Sequence, residues 1–147
     1  MLQQTSSLAL RALLKSAASR AGLDKSAPLV TGLSASAAAF HASVLCQDAP
    51  IFLIVPTDSH VDQMTTDARF FVAQLQGMDS AAVDRAVLPF PSQEVDPYRG
   101  LAPHLAVASA RARALHGLAA GTARLVIASA RSLLPRLSAP ARRRQKD

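Results

Sequence analysis

The residues with the clearest bearing on chemistry run from Leu29 to Phe40, where a short apolar segment passes through Gly32 into a stretch of small, helix-prone residues. A nucleotide-binding loop follows G-x-x-x-x-G-K-[ST] between a strand and a helix. Its lysine reaches the β- and γ-phosphates and its hydroxyl holds Mg²⁺. Started at Gly32, the pattern puts Ala37, Ala38 and Ala39 at the second glycine, the lysine and the hydroxyl residue. Alanine does neither job. The segment predicts a nucleotide-binding type of fold without its nucleotide chemistry, suited to docking and not to catalysis. Gly32 reads as a turn glycine and Ser34 as a helix N-cap, followed by Ser36. The run Ala37-Ala38-Ala39 suits close packing of a helix on a sheet. Backbone N–H groups at the helix start leave a weak anion site at most.

Other reactive groups are scattered. Glu94 and Asp96 form a carboxylate pair, but in a proline-rich loop without a neighbouring His or nucleophile they read as solvated acids. Cys46 is the one cysteine, which excludes a disulfide within the chain and reads as a buried structural thiol. His41, His60, His104 and His116 are dispersed, and His41 and Cys46, five apart, do not share a helix face. No zinc-ligand spacing results. Tyr98, the only tyrosine, reads as packing its loop on the domain. Arg111 is expected to pair with a loop acid and Arg113 to face solvent.

The elements that must position these groups alternate. A helix is predicted over 6–21 with a stripe of Leu10, Leu13, Leu14, Ala17, Ala18 and Ala21, stopped by Gly22. A short strand at 28–31 precedes a helix from Ser34 to about Gln47. Pro50 opens the strand Ile51-Phe52-Leu53-Ile54-Val55, a continuous apolar run of the kind covered on both faces. Thr57 or Asp58 caps a helix whose face is Val61, Met64, Ala68, Phe71, Val72 and Leu75, ended by Gly77. Asp79 to Arg85 reads as a short helical turn, and 86–91 as a short strand cut off by proline. Pro91 to Pro103 is a long loop. A helix over 103–119 has Leu105, Ala108, Ala112, Leu115 and Leu118 on one side, and Gly121 stops it. Leu125 to Ala128 is a buried strand, and Ser129 caps a last helix to about Leu137. This order predicts an α/β layered fold with a short, mostly parallel sheet flanked by helices. With four short strands and no strand after the last helix, the chain reads as cut short.

Composition bounds the rest. Half of the 147 residues are apolar, enough for a core built largely from small and aliphatic side chains. No apolar run has the length of a membrane span. The formal charge of +6 sits at the ends: residues 1–23 carry +3 without an acid, and 140–147 carry +3. Between them, nine basic and nine acidic residues balance, so no basic face for nucleic acid is expected within the fold. The first 22 residues have the composition of a transit peptide, but the regular stripe favours a helix packed on the domain. The expected organisation is a leading helix over 1–24, a partial nucleotide-binding-like domain over 25–138 and a basic disordered tail over 139–147 in a cytoplasmic protein.

Three ordered blocks carry a resemblance. The first is Val30 to Ala37. The second is Phe90-Pro91, then Glu94-Val95-Asp96-Pro97-Tyr98 and Ala102-Pro103-His104. The third is Ser109-Ala110-Arg111 with Leu115, followed by Leu125 to Ala128 and Leu133 to Leu137. Over about residues 25–137 the set resembles the N-terminal region of bacterial transcription-repair coupling factors, itself similar to domain 1 of the nucleotide-excision-repair B subunit. The resemblance implies a degenerate, P-loop-NTPase-like copy of a helicase domain. It implies a scaffold without ATP or Mg of its own, in a protein whose downstream motor uses both to act on DNA and stalled RNA polymerase. It also implies a link to the excision-repair A subunit, mainly through an inserted domain that follows this region. Gly32 matches the remaining loop glycine, and Glu94, Pro97, Tyr98, Pro103 and Arg111 match the loop-and-helix block. Arg99 stands where the family tends to have Asp, and Ala102 where it has Ser. Two rival expectations are an active NTPase or helicase fragment and a basic-tailed nucleic-acid binder.

Overall fold

Three short apolar segments bounded by proline or glycine become strands because their β-branched and aliphatic side chains suit a pleated surface with buried faces. The computed structural model describes residues 2–23, 30–93 and 104–134. Strands β1 (Ile51–Val55), β2 (Val87–Phe90) and β3 (Leu125–Ser129) form a parallel sheet in the order β1-β3-β2. Register runs from Ile51 opposite Leu125 and from Val87 opposite Leu125. Parallel neighbours require crossovers. Helices α3 (Asp58–Gln76) and α4 (Ser80–Ala86) carry the chain from β1 to β2, and α5 (Leu105–Ala119) carries it from β2 to β3.

The pleat sorts the core into two layers. Leu53, Val55, Val87, Leu125 and Ile127 meet α3 and α2 (Ala35–Leu45) on one side. Leu88, Phe90, Val126 and Ala128 meet Ala114 of α5 and Ala123 on the other. On α3, Val61, Met64, Ala68, Val72 and Leu75 are buried, as their spacing requires, and Gly77 ends the helix with φ +66°. A Cβ at Gly77 would collide with the Arg11 guanidinium. Helix α1 (Leu2–Arg20) thus docks as expected: Arg11 Nε donates to the Gln74 and Leu75 carbonyls, both at 3.1 Å, placing a cation at the carbonyl end of α3. Leu14 and Ala18 pack beside Phe40, Val44 and Leu75.

Several expectations are corrected. Val30 and Thr31 lie outside the sheet and are exposed, while the rest of the expected 28–31 strand falls outside the described residues. The β1 run is covered on one face only among the described residues: Phe52 is 44% and Ile54 56% exposed, because α5 lies over β2 and β3. The expected α5 stripe is not its buried face. Leu105 is 78% exposed and Ala108, Ala112 and Leu118 are exposed, whereas Arg111, Ala114 and Gly117 are buried. Arg111 has carbonyl acceptors inside, and Gly117 lets the helix approach Leu88, so a polar residue and a glycine outrank leucines there. The α1 stripe is wider than its covered face, with Leu13 65% exposed and Ala17 and Ala21 exposed. Ala39 and Ala42 of α2 enter the core chiefly beside α3, so the small residues serve helix–helix packing more than helix–sheet packing. Ser129 caps a 3₁₀ turn, Ala130–Leu133, where a longer helix was expected. The tail over 139–147 lies outside the described residues. No described helix is long and apolar enough to cross a membrane.

Candidate functional site

The emptied loop is built as a helix start. Gly32 has φ +76°, and a Cβ there would meet nothing within 4 Å, so backbone conformation and not crowding favours glycine. Ser34 is extended, and its hydroxyl oxygen accepts from Ala37 N at 3.3 Å, satisfying an orphan donor of α2. Ser36 Oγ donates to Asp67 Oδ2 at 2.6 Å. A carboxylate of α3 therefore sits against the first turn of α2, where a phosphate would need the same positive helix end. Ala37 and Ala38 are half-buried and Ala39 is fully buried. The helix start therefore offers no side-chain cation at Ala37 to Ala39, has a carboxylate beside Ser36 and places Ala39 in the core.

A second polar cluster lies where the strands end, the usual ligand-facing edge of a parallel sheet. Asp58, the first residue of α3, accepts from Ser92 N at 2.8 Å and from Ser92 Oγ at 2.5 Å. Burial pushes the Asp58 carboxyl up, but the two Ser92 bonds, the Ser129 hydroxyl and the Arg131 charge outweigh it, leaving the pKa below its ordinary 3.8. Ser132 N donates to Ser129 Oγ at 3.2 Å, and Ser132 Oγ donates to Ser129 O at 2.7 Å. Arg111, 5% exposed, donates from Nη1 to Pro91 O at 2.7 Å and to Ser132 O at 3.3 Å. Its guanidinium lies 4.0 Å from the Phe90 ring centroid, a cation–π distance. The exits of β2 and β3 are thus tied to α5 by one cation, and the exit of β2 is tied to α3 by one anion.

This cluster is arranged to hold backbone. A hydrolytic relay needs an imidazole between acid and hydroxyl. Here Asp58 bonds the Ser92 hydroxyl directly, and His60 Nδ1 lies 2.7 Å from a different hydroxyl, Thr57 Oγ1. Thr57 occupies the N-cap position of α3 but makes no side-chain cap bond. Arg113 is exposed and donates to Asp84 O at 3.3 Å. Cys46 is fully buried at the end of α2, and burial pushes its thiol up to about 11 against the opposing Arg124 charge and Gln76 bond. It is an inert thiol at neutral pH. Among the described residues, no group of three His, Cys, Asp or Glu side chains is placed to hold a metal ion.

Of the residues singled out in the sequence, the structure joins Ser34 to Ala37 and buries Arg111, but it does not bring Gly32 and Arg111 into one site. Glu94, Asp96, Pro97, Tyr98 and Pro103 lie outside the described residues. The Asp58–Ser92 bond and the Ser36–Asp67 bond have no counterpart in the sequence reading. The first had a signal: a hydroxyl or acid follows each strand within three residues, at Thr57 and Asp58, at Ser92 and at Ser132. The second joins positions 31 apart on two helices and carries no local signal. No protein-family model, curated protein or solved structure matches this chain.

Proposed function

We propose that this chain is a non-catalytic N-terminal scaffold segment of a transcription-repair coupling factor, a degenerate P-loop-NTPase-like domain that supports an ATP-dependent DNA translocase without binding nucleotide itself. In this reading the excision-repair A subunit, RNA polymerase and DNA are partners of the whole protein, and ATP and Mg belong to its motor. The reading rests on the three ordered sequence blocks. The observation that carries its non-catalytic half is the start of α2, where alanines replace the lysine and hydroxyl and Ser36 holds Asp67 at 2.6 Å. Asp58, Ser92 and Arg111 suit the scaffold half, because their bonds fix the strand exits.

Calorimetric titration with ATP and Mg²⁺ tests the loop. The expected result is no saturable binding at about millimolar nucleotide, the weak end of useful affinity. Micromolar, Mg²⁺-dependent binding lost in Gly32→Val would overturn it. Reading the coding frame past Asp147 tests the parentage. The expected finding is a motor with an intact G-K-[ST] loop, and an unrelated downstream sequence would sink the assignment.

A further inference from the structure

We propose that the cleft between α4, the start of β2 and the second half of α5 is a phosphate-binding site, independent of the emptied loop at Gly32 and of the basic tail. The cleft is open, with a volume of about 200 Å³, and Arg85, Arg113, His116 and Thr122 line it above Leu88 and Gly117. Arg113 and His116 are three apart on α5 and so share a helix face. Gly117 makes the floor: a Cβ there would stand 2.6 Å from Leu88 Cδ1, so any larger residue must displace the Leu88 side chain.

The charge balance favours an anion. Asp84 also borders the cleft, but Arg69 Nη1 engages its carboxylate at 3.3 Å. Arg113 Nη2 uses the Asp84 carbonyl at 3.3 Å as a rest, which steers the guanidinium while leaving most of its donors for a ligand. Arg85 makes no hydrogen bond or ion pair among the described residues. Arg85 and His116 stand in the last turns of α4 and α5, where a cation also complements helix carbonyls. Arg113 lies further back and has no helix end to serve. Two arginines line this open cleft, and an arginine guanidinium offers the forked donors that phosphate oxygens accept. A free phosphate group and the backbone of a nucleic acid present the same oxygens.

The test titrates the full chain with inorganic phosphate in one arm and a short DNA duplex in the other, following backbone amide shifts at about 50 mM salt. Shifts at Arg85, Arg113, Gly117 and Thr122 are expected. Their appearance in both arms identifies a single phosphate group as sufficient, and their appearance with duplex alone identifies the nucleic-acid backbone. The Arg85→Glu, Arg113→Glu double variant is expected to weaken binding about tenfold or more and to lower the salt slope by about two. Arg85→Glu removes no side-chain hydrogen bond or ion pair among the described residues but loses a cation at the carbonyl end of α4, so its thermal melt, recorded beside its affinity, separates loss of the site from loss of fold. Shifts confined to residues 140–147, or affinity unchanged in Arg85→Glu, would overturn the proposal.

Discussion

Strands β1 and β3 have the same length, lie side by side in register and are both almost wholly aliphatic. Yet every residue of β3 is buried, whereas alternate residues of β1 are exposed on the face away from α3. The difference is not composition. β3 has a strand on each side and helices on both faces, while α5 is drawn over β2 and β3 by Arg111, Phe90 and Gly117. An apolar run announces a strand, and the crossover that follows decides how much of it is covered. Among the described residues, one sheet face therefore has a bound half and a bare half.

The largest expected effect tests the bound half. Ile127→Ala should cost about 3–4 kcal/mol by urea denaturation, as a fully buried branched side chain leaves a cavity. If Ile54→Ala cost as much, the bare half would be covered in solution and the comparison would break. Arg111→Met should cost about 2 kcal/mol, because the stem is kept but the bonds to Pro91 O and Ser132 O are lost. Arg111→Lys should not restore it, since a point charge cannot span both carbonyls while stacked on Phe90. Gly117→Ala should destabilise by about 1 kcal/mol net, the clash with Leu88 exceeding the gain in helix propensity. An increase in stability would mean that α5 stands further off β2.

Asp58 joins the two halves from the strand ends, and its effect depends on pH. Its folded pKa lies below the unfolded value, so its stabilisation is fully present above about pH 5 and is lost as pH falls through the folded value. Asp58→Asn should lower Tm at neutral pH and flatten the acid limb of the Tm–pH curve. A variant curve parallel to the parent would refute the link. The smallest effect belongs to the bare half: Ile54→Thr should change stability by no more than about 0.5 kcal/mol. A larger loss would again show that Ile54 has a neighbour in solution.

What the sequence made legible was local. Ile51–Val55, the Gly77 stop, the Ser34 cap and the Ser129 cap all follow from neighbours within a few residues. The α3 face was legible because its period is uninterrupted. The α5 face was not, since leucines at Leu105 and Leu118 mimic a stripe, and the buried arginine takes partners that include carbonyls 20 and 21 residues away, with no local signal. The turn at Gly32 and the small residues after Ser34 were legible as the start of a helix. The carboxylate set against it was not, because Asp67 reaches Ser36 from another helix.

The buried Cys46 turns the seam between α2 and α3 into a clock. Its thiol donates to Ser43 O at 3.4 Å and accepts from Gln76 Nε2 at 3.7 Å, it is fully buried, and burial pushes its pKa up to about 11. A thiol reagent added to the native protein should therefore wait for the seam to part. With no second cysteine to confuse the signal, the rate of modification would report how often that seam opens.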